Sequence, residues 1–312
     1  MNRIIMAIGM AALLITGFLP SIDYALAIDK KFDYRINQKV KKAITDLENK
    51  KGNIQREAKK DLISWGADSV EPLIAVVRDW EHEPADLRVA CVDILGEIKD
   101  KRAVPVIIDA ANENRMTMKY SAARALGNIG DKRAAPVLIK LLNDKEWQVR
   151  LYATEALGKI GDISGARPLA NLLLADPNDK VRLAAIEALD KLNARTEYKT
   201  VLEAFSDNDP QIRSYAVELS ASWTVKEAMP AIMGMLKSDR SNTVRASCAH
   251  TLGIFANYSA VPALIDALSD DYKDVRIYAL DSLKKMSNQN YGSDKEAWSH
   301  WFELNKDKAK QQ

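Results

Sequence analysis

Reactive side chains are scarce in this 312-residue chain, which has only two cysteines and three histidines. It also lacks Pro-, Ser- or Gly-rich linkers, low-complexity tracts, a Gly-rich phosphate loop, a paired-cysteine spacing and a Ser/His/Asp order. Each absence excludes something. Without paired cysteines or a glycine loop there is no zinc-site or phosphate-cradle motif, and no catalytic constellation emerges. A net charge of only +2 over the whole chain disfavours nucleic-acid binding.

What the chain has in abundance is periodicity. Arg56, Arg88, Lys119, Arg150, Arg182, Arg213, Arg245 and Arg276 recur at steps of 31 or 32 residues. Their neighbours recur as well. Position −1 is apolar (Leu87, Met118, Val149, Val181, Ile212, Val244, Val275) and position +3 is small (Cys91, Ala122, Ala153, Ala185, Ala216, Cys248, Ala279). Position +7 is mostly leucine, and +10 is apolar again. These offsets fall on one stripe of a helix with 3.6 residues per turn, so they define a helix A with one buried face. Gly130 and Gly161 follow the last core position, where a left-handed C-cap is wanted. Pro72, Pro105, Pro136, Pro168, Pro230 and Pro262 then open a helix B, because proline suits a first helical turn. A period of this kind predicts an all-α solenoid, a right-handed superhelix of about eight two-helix units with a cap at each end.

The motif Val-Arg-x-x-Ala-x-x-Ala-Leu-Gly-x-Ile-Gly-Asp at 149–162, with Ala-x-Pro-Leu beyond it, resembles the short HEAT-like repeats named after phycobilisome lyases. The resemblance runs over about residues 53 to 286 and implies the fold, but not the task, since such repeats serve unrelated functions. Another HEAT-repeat family, deoxyhypusine hydroxylase, binds two irons through several His-Glu pairs. Here only His82-Glu83 has that form, so no metal, no cofactor and no enzyme activity are expected. Lys59 and Gly66 stand in core columns of the first repeat, the fifth lacks a proline near Thr200, and the sixth has Ser220 where leucine is usual.

The ends differ from the middle. Residues 1–27 read as a cleaved export signal, with Arg3, an apolar stretch from Ile4 to Leu19 and Ala25-Leu26-Ala27 as the cleavage site. The mature protein is therefore expected to be soluble and periplasmic or extracellular. Residues 28–52 are expected to form a capping helix with Ile36, Val40, Ile44 and Leu47 on one face, within a stretch rich in Lys and Arg. The repeats then fill 53–290. At 291–312 Ser293 and Glu296 have capping-box spacing, and Trp298, Trp301 and Phe302 share one face as a terminal cap. Cys91 and Cys248 occupy one column five repeats apart, about 40 Å at ordinary helix spacing, so no bridge between them is expected.

For function, the composition favours a non-enzymatic scaffold that binds another protein or peptide. An enzyme or chromophore-attachment factor is the alternative, and a binder of anionic polymers or membrane surfaces through the basic N-terminal end a weaker one. A solenoid binds along a column, and the helix B column that mixes aliphatic bulk with charge holds Ile108, Asp109, Ile139, Lys140, Leu172, Met233, Ile265 and Asp266. The anchor arginines (Arg88, Arg150, Arg182, Arg213, Arg245, Arg276) are expected to pair with turn aspartates in a structural ladder rather than to bind phosphate.

Overall fold

The structure is a computed structural model that describes residues 38–49 and 51–309. Residues 1–27, read from the sequence as an export signal, and Ile36 lie outside these residues. Every regular element described is a helix, and the helices gather in two compact units divided after Ala103.

The first unit holds α1 (38–46), α2 (Gly52–Trp65), α3 (Ala67–Arg78) and α4 (Ala85–Ile98). Val40, Ile44 and Leu47 of the N-terminal segment are buried together with Ala43, which gives α1 the apolar face a cap needs. Lys59 keeps its place in a core column by pairing with Glu97 of α4 at 2.6 Å. Gly66 has φ +55° at the junction of α2 and α3, a conformation that a residue without Cβ adopts freely.

The second unit alternates the two helix types. The B helices are α5 (Val104–Ala111), α7 (Ala135–Leu141), α9 (Ala166–Ala175), α11 (Tyr198–Glu203), α13 (Met229–Ser238) and α15 (Val261–Ala267). The A helices are α6 (Met116–Ile129), α8 (Trp147–Ile160), α10 (Asp179–Lys191), α12 (Pro210–Ser222), α14 (Asn242–Phe255) and α16 (Lys273–Ser287). Each A helix buries its −1, +3 and +7 columns; Ala122, Ala153, Ala185, Ala216, Cys248 and Ala279 have no exposed surface. Cys91 and Cys248 are both buried free thiols. Burial pushes the Cys91 thiol up to about 12, so it is unreactive near neutral pH.

Two further columns set how the A helices meet and end. Position +8 is glycine in α6 and α8, and a Cβ on Gly127 would lie 2.8 Å from the Cα of Ala156 on α8. Adjacent A helices thus touch backbone to backbone. Position +11 is left-handed in six successive repeats: Lys99, Gly130, Gly161, Asn193, Thr224 and Ala256 have φ between 49° and 72°. After Asn193 and Thr224 the chain closes a wider turn, with Ala194 N–H on the Leu189 carbonyl and Val225 N–H on that of Ser220. Repeats five and six, two of the three that break the sequence pattern, therefore end helix A differently. Ser220 is tolerated in the core because its hydroxyl donates to the Val217 carbonyl at 2.6 Å.

The C-terminal helix α17 (Lys295–Ala309) does more than close the end. It packs on α15 and so takes the position of the eighth B helix. Its N-terminus is capped by Asp294, which accepts from Ala297 N–H at 3.0 Å, rather than by Ser293. The one-residue shift brings Trp298 inward, fully buried, with its indole N–H on the Gly292 carbonyl. Trp301 stacks on Tyr258 at 5.8 Å and meets Trp298 edge-on, so the aromatic rings are spent on internal packing.

Candidate interaction surface

The turns between repeats carry the charge chemistry. Arg150, Arg182, Arg213 and Arg245 each grip the next repeat's aspartate (Asp176, Asp207, Asp239, Asp270) through Nε and Nη2 at 2.6–2.9 Å. Their Nη1 groups donate backward to the carbonyls of Asp144, Asp176, Asp207 and Asp239. Lys119 starts the series on Asp144 at 2.6 Å, and Arg276 ends it on the Asp270 carbonyl. Arg88, in the first unit, is buried and donates to the Val77 carbonyl at 2.9 Å.

Each carboxylate also accepts a backbone N–H two residues on, as Asp239 does from Ser241. Burial pushes the Asp239 carboxyl up, but Arg213 and the Ser241 N–H outweigh it and hold it below the usual carboxylate range. At Asp270 the hydrogen bond from Arg245 is the largest influence, in the same direction. Arginines this fully committed have no fork left for a phosphate.

The helix B column divides on inspection. Ile108, Ile139, Leu172 and Met233 are half-buried, while Asp109, Lys140 and Asp266 are exposed. Ile265 does not belong to a free surface. It is buried because the α17 helix covers α15, and Asp266 beside it pairs with Lys295 of α17 at 3.7 Å. Lys140 reaches back to the Asn112 side chain at 2.8 Å.

Of these candidates the structure joins Ile139 and Leu172 in one groove of about 510 Å³, between α7 and α9. Leu142, Pro168, Ala175 and Pro177 complete its apolar wall. Asn143 and Asn171, both exposed, add side-chain amides that can donate and accept at once. The only charges in the wall, Asp144, Arg150 and Asp176, are consumed by the ladder. Sequence reasoning reached Ile139 and Leu172 and placed Pro168 at the start of a helix B, but it did not single out Asn143, Asn171 or Pro177.

Among the described residues no three His, Cys, Asp or Glu side chains gather as a metal site, and no helix is long and apolar enough to cross a membrane. His82 sits in an exposed turn, bonded to Asp79 at 2.8 Å.

An all-α array of paired helices, tied turn to turn by an ion ladder, defines an α-solenoid. The chain belongs to the HEAT repeats family, which it matches over residues 70–144, 117–190 and 198–284. Among solved structures it is similar to the Escherichia coli protein YibA, at 19% identity and a TM-score of 0.56 over 85% of this chain and 97% of that one. It is also similar to Kap121p bound to Ste12p, at 12% identity and a TM-score of 0.57 over 83% of this chain and 34% of that one. The CpcE and CpcF complex of phycocyanin lyase from a Nostoc species aligns over 84% of this chain and 92% of that one. Its 19% identity and TM-score of 0.33 carry no argument about activity. No curated protein matches the chain by sequence.

Proposed function

We propose that this HEAT-repeat protein is a non-enzymatic scaffold outside the cytoplasm, and that it holds a segment of another protein in the groove of Ile139 and Leu172. The observation that carries this reading is the groove's make-up. It is an apolar trough whose charges are already neutralised internally and whose rim offers two uncommitted amides. Such a wall favours an extended segment that contributes aliphatic side chains and backbone hydrogen bonds over a charged small molecule. The similar solved structure of Kap121p has Ste12p bound to it, which is in keeping with a binding role for a fold of this kind. The export signal read at 1–27 supports the location, and the motif at 149–162 supports the phycobilisome-lyase kind of repeat without bringing lyase chemistry.

The test is Asn171→Arg. Asn171 is exposed on α9, so the change should leave stability within ~0.5 kcal/mol. A long charged side chain across the groove should nevertheless remove binding of the natural partner. An Asn171→Arg protein that folds and binds normally would move the docking surface elsewhere.

A further inference from the structure

Neighbouring A helices of the second unit meet through two columns, the +8 position of one helix against the +6 position of the next. Gly127 faces Ala156, Gly158 faces Ala188 and Gly253 faces Ser282, and a Cβ on any of these glycines would come within 3.1 Å of its partner. Between α12 and α14 the residues in these columns are Ala221 and Thr251, still small. Between α10 and α12 they are Asp190 and Leu219. The side chains at a helix contact set how near the two axes come, and α10 with α12 is the most loosely packed of the neighbouring A-helix pairs in this unit. A reaching side chain spans the gap instead: the Tyr215 hydroxyl donates to Asp190 at 2.9 Å, both residues being half-buried. Burial, and then that hydrogen bond, pushes the Tyr215 hydroxyl up from its ordinary pKa, so it keeps the proton it donates.

The layer of B helices is weak at the same place. Helix α11 has only six residues, lacks an opening proline and runs into a 3-10 turn at Ala204–Ser206. One edge of the joint stays firmly tied. Arg182 of α10 grips Asp207 at 2.8 and 2.9 Å, and Arg213 of α12 donates to the Asp207 carbonyl at 2.7 Å. We propose that the α10–α12 joint is a hinge of the solenoid, turning about the Asp207 tie, with the Tyr215–Asp190 hydrogen bond as its catch. The helices α5–α10 move as one block and α12–α17 as the other, and α11 absorbs the change between them. Position +9 of an A helix lies about 14 Å along the axis from the anchor arginine, so a turn of about ten degrees shifts it by about 2 Å. The pitch of the unit then changes at one place. The groove of Ile139 and Leu172 lies inside one block, and the hinge is independent of what that groove binds.

Double electron–electron resonance between spin labels on the full chain tests this. Labels at Lys159→Cys with Ser222→Cys span the joint, and labels at Asn128→Cys with Lys191→Cys span two close pairs as the control. All four sites hold position +9, and ordinary helix spacing separates the labels of each pair by roughly 16–20 Å. The native Cys91 and Cys248 are buried and stay unlabelled. The distances across the joint should be spread about twice as widely as those of the control, or fall into two populations. Tyr215→Phe removes the catch and keeps the ring, so it should broaden or lengthen the distances across the joint and leave the control unchanged. Distances across the joint as narrow as the control overturn the hinge. A Tyr215→Phe protein whose distances across the joint do not change overturns the catch. Equal broadening of both pairs in that variant would mean a general loosening of the solenoid and overturns the proposal as well.

Discussion

Gly127→Ala is the substitution that most sharply tests how the A helices pack. Two effects oppose each other. Replacing a mid-helix glycine by alanine favours the helix by up to about 1 kcal/mol. Here, however, the new Cβ would lie 2.8 Å from both Cα and Cβ of Ala156, whereas ordinary contact begins at 3.4 Å. α6 and α8 would have to part by several tenths of an ångström along their shared length, and overpacking of this kind costs about 1–3 kcal/mol. The net expectation is a loss of about 1–2 kcal/mol. Gly234, inside the surface helix α13 with nothing within 4 Å of its added Cβ, is the internal control. Gly234→Ala should stabilise by about 0.5–1 kcal/mol. Urea and thermal unfolding of both variants against wild type give the comparison. If Gly127→Ala stabilises the protein as Gly234→Ala does, the close approach of α6 and α8 is not what the glycine serves.

The ion ladder supplies two further expectations. Asp239→Ala strands the Arg213 guanidinium, whose side chain is 6% exposed, and should cost on the order of 3 kcal/mol in chemical denaturation. Asp266→Ala, which breaks the exposed pair with Lys295, should cost less than about 0.5 kcal/mol. Asp144, Asp207, Asp239 and Asp270 all have lowered pKa values in the folded chain. Their contribution is fully present above the unfolded carboxylate pKa of about 3.9 and is lost as pH falls through the depressed folded values. Stability measured down a pH series should therefore fall steeply below about pH 4, and less steeply in Asp239→Ala.

Much of this was legible because a solenoid writes its core once per repeat. The −1, +3 and +7 columns announced helix A, and the aspartate six residues before most anchors announced the ladder that Arg150 and Arg213 now display. What stayed hidden was information that no single residue type spells. Position +11 is left-handed whether the residue is Gly130, Lys99 or Thr224, so the residue type there does not announce the turn. Gly127 is one letter of a motif until the approach of Ala156 gives it a reason. Ile265 shares a column with Ile139, yet one is buried and the other lines a groove, since only the first lies under α17. The groove also depends on Asn171, which stands in the column of Ile139 but puts an amide in place of its aliphatic bulk, and on Asn143 in the turn between α7 and α8.

The central claim is that the α7–α9 groove is where a partner polypeptide sits, and site-specific photocrosslinking tests it most directly. A photoreactive residue at position 171 lies on the groove wall, while one at position 191, an exposed end of the A helix α10, lies outside it. In the living cell the account predicts one discrete protein adduct from position 171 that disappears with Ile139→Glu, and no such adduct from position 191. No adduct at 171, or the same adduct from both positions, would contradict it.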